Sequence, residues 1–422
     1  MTIKSVRGMN DILQEEARLW ARAEGKAREI LAIHGYEEIR TPVAERTELF
    51  ARGIGETTDI VSKEMYTFDD RRGQSLTLRP EGTAPVVRAY IKSKIYASNP
   101  LTKLYYIGPM FRYERPQSGR SRQFHQIGVE VLGSDDPLVD SEVIEVLMRL
   151  LEGLGGTGLV LEINSLGCPG CRPDFVEAIR DFAGGHVDDL CEECGKRVER
   201  NPLRLLDCKV EKCRAILEGA PEITNHLCER CALDFTKVRS YLDRIGLDYI
   251  QNPRIVRGLD YYTRTAFEVT SSTLGAQNAV AGGGRYDGLV EELGGPSVPG
   301  VGFAVGLERL LMGFPEAGAT EEIVPTVFVA PLGEEARTEG CGIVSNLRDR
   351  GIRSEIGVGG KSLRSMMRRA GSIGARLVVI LGEDEMGTKA ATVRDMDEGS
   401  QTEIDLSILV DSIEKRIRNG GS

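Results

Sequence analysis

The sequence predicts a mixed α+β chain built of several units, and three observations say so. Extended segments with alternating polarity, such as QFHQIGVEVLG at 123–133, stand among amphipathic helical segments in the first 318 residues. Eight of the nine cysteines crowd between Cys168 and Cys231, where the composition changes and an inserted subdomain is expected. Beyond residue 325, short apolar runs alternate with helical stretches, the pattern of a small α/β domain. At 422 residues the chain is long enough for two or three cores.

The elements follow in order. Asn10 or Asp11 is placed to cap a helix over 12–34, which Gly35 stops. YEEIRTPVAE, 36–45, is extended, with Pro42 putting it at an edge or interface. SLTLRPEGTAPVVRAYI, 75–91, reads as a strand ending near Arg79, a turn, and a helix carrying Val86, Val87 and Tyr90. KLYYIGPMFRYE and QFHQIGVEVLG read as two strands joined by the basic loop RPQSGRSR, 115–122, and PLVDSEVIEVLMRLLEGL, 137–154, as a helix. RGLDYYTRTAFEV, 257–269, reads as a strand. VPGVGFAVGLERLLM, 298–312, reads as a strand running into a helix. Residues 1–167 and 236–318 are thus expected to form one domain interrupted by the insertion 168–235. A linker at 319–325 leads to a second domain at 326–422.

Composition narrows the function classes. No apolar run reaches the length of a membrane span and the N-terminus lacks a signal-peptide core, so a cytoplasmic protein with no membrane partner is expected. Net charge is −10, which argues against a generally basic nucleic-acid coat while allowing a local basic surface. The glycines Gly300, Gly302 and Gly306 have the wrong spacing for a dinucleotide fingerprint, and no P-loop motif occurs.

Several constellations carry chemistry. In QFHQIGVEVL, Gln126, Gly128 and Glu130 share one strand face while Ile127, Val129 and Val131 share the other. Arg112 and Glu114 share a face in the same way. Glu81 and Thr83 sit at a turn between strand and helix, suited either to helix-start chemistry or to holding an ammonium group. Arg257, Asp260, Tyr261, Tyr262 and Arg264 crowd one short segment, which fits a solvated edge or a strand lining a polar pocket. Gly282, Gly283 and Gly284 allow either a tight turn or bulge, or close approach of a ligand or another chain. The cysteines pair as Cys168/Cys171, Cys191/Cys194, Cys208/Cys213 and Cys228/Cys231, enough for two four-sulfur Zn2+ sites, while Cys341 stands apart and reads as a core thiol.

Taken together, these motifs resemble those of a class II histidyl-tRNA synthetase over essentially the whole chain. YEEIRTPVAE is similar to the first class II motif, MFRYERPQSGRSRQFHQIGVEVLG to the second and GVGFAVGLERLL to the third. RGLDYY and AGGGRYDGL are similar to the two histidine-specific motifs. The resemblance implies a catalytic domain built on an antiparallel sheet flanked by helices, followed by an α/β anticodon-binding domain. It implies ATP with Mg2+ as cofactors, L-histidine and tRNA(His) as partners, and a homodimer through the first motif.

The resemblance also assigns roles. Arg112 and Arg257 would be the catalytic cations at the α-phosphate, Arg309 would hold the outer phosphates, and Glu114 would lie near the adenine. Glu81, Thr83 and Tyr262 would surround the histidine ammonium, Gln126 its carboxylate, and Glu130 and Tyr261 its imidazole. Arg115, Gln117, Arg120 and Arg122 would meet the tRNA acceptor end. In the C-terminal domain Arg348, Arg350, Arg353, Lys361, Arg364, Arg368 and Arg369 outnumber Asp349 and Glu355, a surface suited to an anticodon stem. Zn2+ in the insertion would be structural. The alternative is a non-catalytic paralog regulating histidine biosynthesis, against which the retained Arg112, Arg257, Glu130 and C-terminal domain argue.

Overall fold

A computed structural model describes residues 3–314 and 326–419, apart from 56, 57, 59, 118, 257, 275–278, 360 and 361. The chain divides into two compact units, Met1–Ala319 and Thr320–Ser422. The first begins with α1 (Gln14–Ile33), β1 (Glu37–Glu38), β2 (Ala44–Arg46), α2 (Thr47–Ile54), β3 (Tyr66–Asp69), β4 (Ser75–Leu78), α3 (Thr83–Lys92) and α4 (Ile95–Ser98). It continues with β5 (Thr102–Phe111), β6 (Gln123–Leu132), α5 (Pro137–Gly153) and β7 (Leu159–Ser165). The cysteine-rich stretch adds α6 (Arg172–Gly184), α7 (Glu192–Arg200), α8 (Glu211–Leu217) and short 3-10 turns. Then come α9 (Glu229–Ile245), β8 (Ile250–Gln251), β9 (Thr263–Ser271), β10 (Ala279–Arg285), α10 (Leu289–Glu292), β11 (Gly300–Gly306) and α11 (Leu307–Gly313).

Eight strands form the main sheet in the order β1-β5-β6-β11-β10-β9-β7-β8. The pairings from β5 to β7 are antiparallel, and only the edge strands β1 and β8 pair parallel to their neighbours. Side chains alternate across a strand, so each face has its own composition. Ile127, Val129, Val131, Val301, Phe303 and Val305 point into one core with α1, α5 and α9. Truncating a fully buried member such as Phe303 costs about 3–5 kcal/mol.

The opposite face is built of small residues. Along one row across the sheet, Tyr106 pairs with Gly128, Gly128 with Ala304, Ala304 with Gly282 and Gly282 with Glu268. That row leaves a floor low enough for a ligand to lie on. Arg285 at the end of β10 is buried and is held by Asp140 of α5, by Asp287 and by the Ser134 carbonyl, so a charge network ties the sheet to its covering helix.

Three expectations are corrected here. α1 starts at Gln14 rather than behind Asn10 or Asp11; its N-cap is Leu13, with no side-chain cap. The acidic Glu15 and Glu16 fill the first turn instead, where the helix dipole favours them. The strand expected over 257–269 starts only at Thr263, because Gly258–Tyr262 turn to carry the two tyrosines against α3 and α10. β5 likewise ends at Phe111, so Arg112–Glu114 leave the sheet while the backbone of Arg112 still donates to the Arg122 carbonyl at 2.9 Å.

The insertion has its own small core of Phe175, Ile179, Val198, Leu205, Leu217 and Ile223 with buried cysteines. α9 instead sends Phe235, Val238 and Leu242 into the main core.

In the second unit, β12 (Thr326–Pro331), α12 (Glu334–Asp349), β13 (Ser354–Ile356), α13 (Leu363–Ser372) and β14 (Ala375–Leu381) alternate as expected. They are followed by α14 (Glu383–Thr388), β15 (Ala390–Asp395), β16 (Gln401–Asp405) and α15 (Leu409–Asn419). The sheet order is β13-β12-β14-β15-β16, parallel through β14 and antiparallel beyond it. The expected linker, 319–325, lies outside the described residues.

Candidate active site

The small-residue face of the main sheet carries the site, and β6 crosses its middle. Glu130 is almost wholly buried, and both its oxygens are engaged. Thr83 Oγ1 donates to Oε1 at 2.6 Å, and the Tyr286 hydroxyl donates to Oε2. Glu81, also buried, accepts from the backbone amides of Thr83 at 2.6 Å and Ala84 at 2.9 Å. Glu81 therefore does serve the start of α3. It does so two residues before the Thr83 that reaches Glu130.

Burial raises the carboxyl pKa values of this pair; Glu130 is pushed up to about 8 although Thr83 and Tyr286 pull it back. Glu81 is raised by burial too, against the pull of its two backbone amides.

Around this pair several polar atoms are buried with no well-directed partner among the described residues. They are the hydroxyls of Tyr106 and Tyr261 and Oε1 of Gln126. A buried group left so costs free energy unless something polar arrives, which marks the place as a ligand site. The rings of Tyr261 and Tyr262 meet tilted at 46° with centroids 4.7 Å apart, and Tyr261 meets Tyr286 edge-on at 5.7 Å.

Glycine chemistry sets the shape. A Cβ at Gly128 would lie 2.1 Å from Tyr106 Cζ, one at Gly82 2.2 Å from the same atom, and one at Gly302 2.1 Å from Glu130 Oε2. Tyr106 and Glu130 fit only because those positions lack side chains.

Next to this closed end is an open cavity of about 220 Å³, lined by Arg112, Glu114, Arg120, Phe124, Gln126, Glu268, Gly282, Gly306, Glu308 and Arg309. Two of its cations are fixed by main-chain carbonyls. Arg112 Nε donates to the Pro80 carbonyl at 2.9 Å, and its guanidinium lies 5.2 Å from the Phe124 ring centroid. Arg309 donates to the carbonyls of Ala279 at 2.8 Å and Gly119 at 3.3 Å, so this residue lines the cavity rather than an outer helix face. Glu114 sits between Arg112 and Arg120 at 4.0 and 3.4 Å. Glu308 accepts the His125 amide at 2.9 Å, pinning the start of β6 to α11.

On the hairpin loop Arg115, Gln117 and Arg120 are exposed. Arg122 is not a free arm: its guanidinium lies 3.9 Å over the Tyr113 ring and donates to the Glu114 carbonyl at 3.2 Å. Arg257 lies outside the described residues. Sequence reasoning singled out neither Tyr106 nor Tyr286, nor Glu268. The signal for Tyr106 was its parity in β5, where it shares a face with Leu104 and Met110 beside α3.

A family model described as Histidyl-tRNA synthetase matches residues 8–310, and one described as Anticodon binding domain matches residues 326–416. The chain is 49% identical over 418 residues to Histidine--tRNA ligase of Syntrophotalea carbinolica, covering 99% of this chain and 100% of that one. It is 51% identical over 412 residues to Histidine--tRNA ligase of Desulforamulus reducens, covering 97% and 98%. Among solved structures, apo histidyl-tRNA synthetase of S. aureus superposes with a TM-score of 0.81 at 37% identity, covering 97% of this chain and 99% of that one.

The chain belongs to the histidyl-tRNA synthetase family. In this synthetase the insertion brings its eight cysteines into two groups, Cys168, Cys171, Cys228 and Cys231 in one and Cys191, Cys194, Cys208 and Cys213 in the other. Within each group the sulfurs lie within 4.8 Å of one another, a spacing that could hold a metal ion. Cys341, expected in a core, is exposed. It sits one position off the buried stripe Gly340, Ile343, Val344 and Leu347 of α12.

The synthetase's C-terminal basic surface is smaller than the sequence count suggests. Arg350 is neutralised by Asp411 and Glu414, Arg348 donates to the Ser354 carbonyl, and Arg369 pairs with Glu355 at 3.4 Å. Arg353, Arg364 and Arg368 are exposed, and Lys361 lies outside the described residues. No helix among the described residues is long and apolar enough to cross a membrane.

Proposed function

We infer that the chain is a histidine–tRNA ligase that activates L-histidine with ATP and transfers it to the 3'-terminal adenosine of tRNA(His). The observation that carries this reading is the buried Glu81–Thr83–Glu130 network. It lies beside buried polar atoms of Tyr106, Tyr261 and Gln126 that lack a well-directed partner, and next to a cavity with fixed cations.

In the first step a histidine carboxylate oxygen attacks the α-phosphorus of ATP, and the bond to the bridging oxygen breaks to release pyrophosphate. Negative charge builds on the phosphoryl oxygens, so cations already aimed there lower the barrier without reorganising. We assign that task to Arg112 and Arg257, the outer phosphates to Arg309 and the adenine side to Glu114. Phe124 offers the base an aromatic wall. In the second step a ribose hydroxyl of the terminal adenosine attacks the histidyl carbonyl carbon, and AMP leaves with the bonding pair.

Histidine is held by its two polar ends. Glu81, Thr83 and Tyr262 would surround the ammonium, Gln126 would face the carboxylate, and Glu130 with Tyr261 would take the imidazole. A buried carboxylate that must accept an imidazole N–H is left unpaired by leucine or phenylalanine, which a site of this kind rejects by about 10⁴–10⁵.

Mg2+ takes oxygen ligands and is bound by one or two carboxylates plus phosphates. Glu268 lines the cavity and would supply such an oxygen; Glu308 holds the His125 amide. The ion would neutralise charge on the phosphates. Arg115, Gln117 and Arg120 would meet the acceptor end, with Arg122 holding their loop. The exposed Arg353, Arg364 and Arg368 would meet the anticodon stem. We further read the protein as a cytoplasmic homodimer through its first motif. Its Zn2+ would be structural. The regulatory-paralog reading is the weaker one: the anticodon-binding model matches 326–416 and the ligase relatives are full length.

ATP–pyrophosphate exchange with each of the twenty amino acids, with Mg2+ and without tRNA, tests the reading. Exchange with histidine alone is expected. No exchange from a folded protein would favour the paralog. A monomer by size-exclusion chromatography at micromolar concentration would count against the homodimer.

A further inference from the structure

The insertion's two cysteine groups are nested in sequence: the outer four enclose the inner four. The sulfur separations fit one ion per group. Cys168 and Cys171 are 3.7 Å apart, Cys168 and Cys228 4.0 Å, Cys191 and Cys208 3.9 Å. Four sulfurs at a Zn–S distance of about 2.3 Å in a tetrahedron stand about 3.8 Å apart. An iron–sulfur cluster would need its sulfurs spread more widely. Backbone amides already point at the sulfurs: Cys168 N–H donates to Cys171 Sγ at 3.2 Å, and Cys191 N–H to Cys213 Sγ at 3.2 Å. Gly167, with φ +64°, leaves room for Cys171, since a Cβ there would lie 2.9 Å from its sulfur.

Each group also carries an arginine to the same place. The outer group begins where the pairing of β7 with β9 ends, since Arg264 N–H donates to the Gly167 carbonyl at 2.8 Å. One residue past Cys171, Arg172 donates to the Leu166 carbonyl at 3.1 Å and to the Tyr262 carbonyl. Between the inner cysteines, the 3-10 turn Pro202–Asp207 holds Arg204, which donates to the Gly258 carbonyl at 2.6 Å and lies 4.0 Å from Asp260. Both arginines thus grip the main chain of the loop 258–262, from the two groups separately. Neither is among the residues lining the cavity beside Arg112 and Arg309; both line a separate cavity of about 210 Å³ with Leu259, Asp260 and Tyr262.

We propose that the insertion holds two structural Zn2+ ions, each on four thiolates, and that the ions hold Arg172 and Arg204 as positioning residues for the loop carrying Tyr261 and Tyr262. The coupling to histidine rests on the proposed histidine site; the metal content does not. Sulfur-only tetrahedral donors with no open position are a closed structural set for Zn2+.

The test begins with metal analysis of the full chain purified without chelators. About two Zn2+ per chain are expected. A metal-free chain whose eight insertion thiols all react at once overturns the sites, and iron in their place overturns the assignment to Zn2+. Cys228→Ser should bring the content down to about one ion. If that variant does not fold, stepwise release of zinc from the wild type by a mercurial reagent gives the same count.

Arg172→Ala and Arg204→Ala keep all eight cysteines and should keep both ions. Each should raise KM for histidine in pyrophosphate exchange, and Kd for histidine by calorimetry, about ten-fold, with KM for ATP within about two-fold. Full zinc with unchanged histidine affinity in both variants overturns the coupling. Wild type that binds zinc but gives no histidine signal would defeat the proposed function and the coupling with it, and leave the metal sites standing.

Discussion

The two ends of the site are built on opposite plans. At the proposed histidine end, side chains bond to side chains: Thr83 bridges towards Glu130, Tyr286 caps Glu130, and glycines make the room. At the proposed ATP end, Arg112 and Arg309 rest on main-chain carbonyls of Pro80, Ala279 and Gly119 and face an open cavity. The difference matches the tasks. Choosing one amino acid among twenty needs buried groups that penalise a wrong partner. Binding a nucleotide that brings several negative charges needs fixed positive charge more than enclosure.

Substitutions at each end should therefore separate KM effects from kcat effects. The largest effect is expected at Glu130. Glu130→Ala should lower kcat/KM for histidine about 10³-fold or more while KM for ATP stays within about three-fold, because the imidazole loses its buried acceptor. Pyrophosphate exchange measures both; a matched rise in both KM values would erase the distinction between the ends. Arg112→Ala should act the other way. It should lower kcat about 10²- to 10³-fold with little change in KM for histidine, since its charge is used as the α-phosphoryl charge develops. An Arg112→Ala enzyme with normal kcat and raised KM would make Arg112 a ground-state ligand only.

Smaller but more local is Gly128→Ala. The added Cβ would stand 2.1 Å from Tyr106 Cζ, so the ring must move off Gly82 and Gly128. Stability should fall by about 1–3 kcal/mol, as for overpacking, and KM for histidine should rise about ten-fold. Ala304 pairs with Gly128 on the next strand and lines the proposed ATP cavity instead. Ala304→Gly, measured alongside, should leave KM for histidine nearly unchanged.

How much of this was legible beforehand follows the same division. The face assignment of β6 came from alternation alone, since Gln126, Gly128 and Glu130 against Ile127, Val129 and Val131 can be read from period two. The α/β order of the C-terminal domain came from its apolar runs. What the sequence did not disclose depends on long-range closure. Tyr106 lies in a strand with tyrosines side by side, and only the glycines at 82 and 128, distant in sequence, make it a pocket residue. The turn at Gly258–Tyr262 looked like strand because its aromatic content suits one. Tertiary packing of the tyrosines with Tyr286 bends it away. The grouping of the cysteines was likewise open until the fold brought Cys168 beside Cys228.

The last test probes the proposed histidine end with no substrate at all. Burial holds the Glu130 carboxyl at about 8, above its ordinary 4.5. The folded protein therefore keeps a proton there that the unfolded chain releases. That contribution is present in full below pH 4.5, shrinks as pH rises, and is gone above about pH 8. Glu130→Gln is neutral throughout and lacks this limb. Urea unfolding of both proteins from pH 5 to 9 should show the wild type losing stability relative to the variant as pH rises, by an amount on the order of 1 kcal/mol per pH unit at most. Parallel curves would mean that water or a rearrangement solvates Glu130 in the free protein. Saturating histidine should flatten the wild-type limb, because a bound imidazole N–H favours the carboxylate form. If histidine flattens it and leucine does not, the buried carboxylate reads the side chain rather than the common α-amino group, and selectivity begins at binding, before ATP takes part.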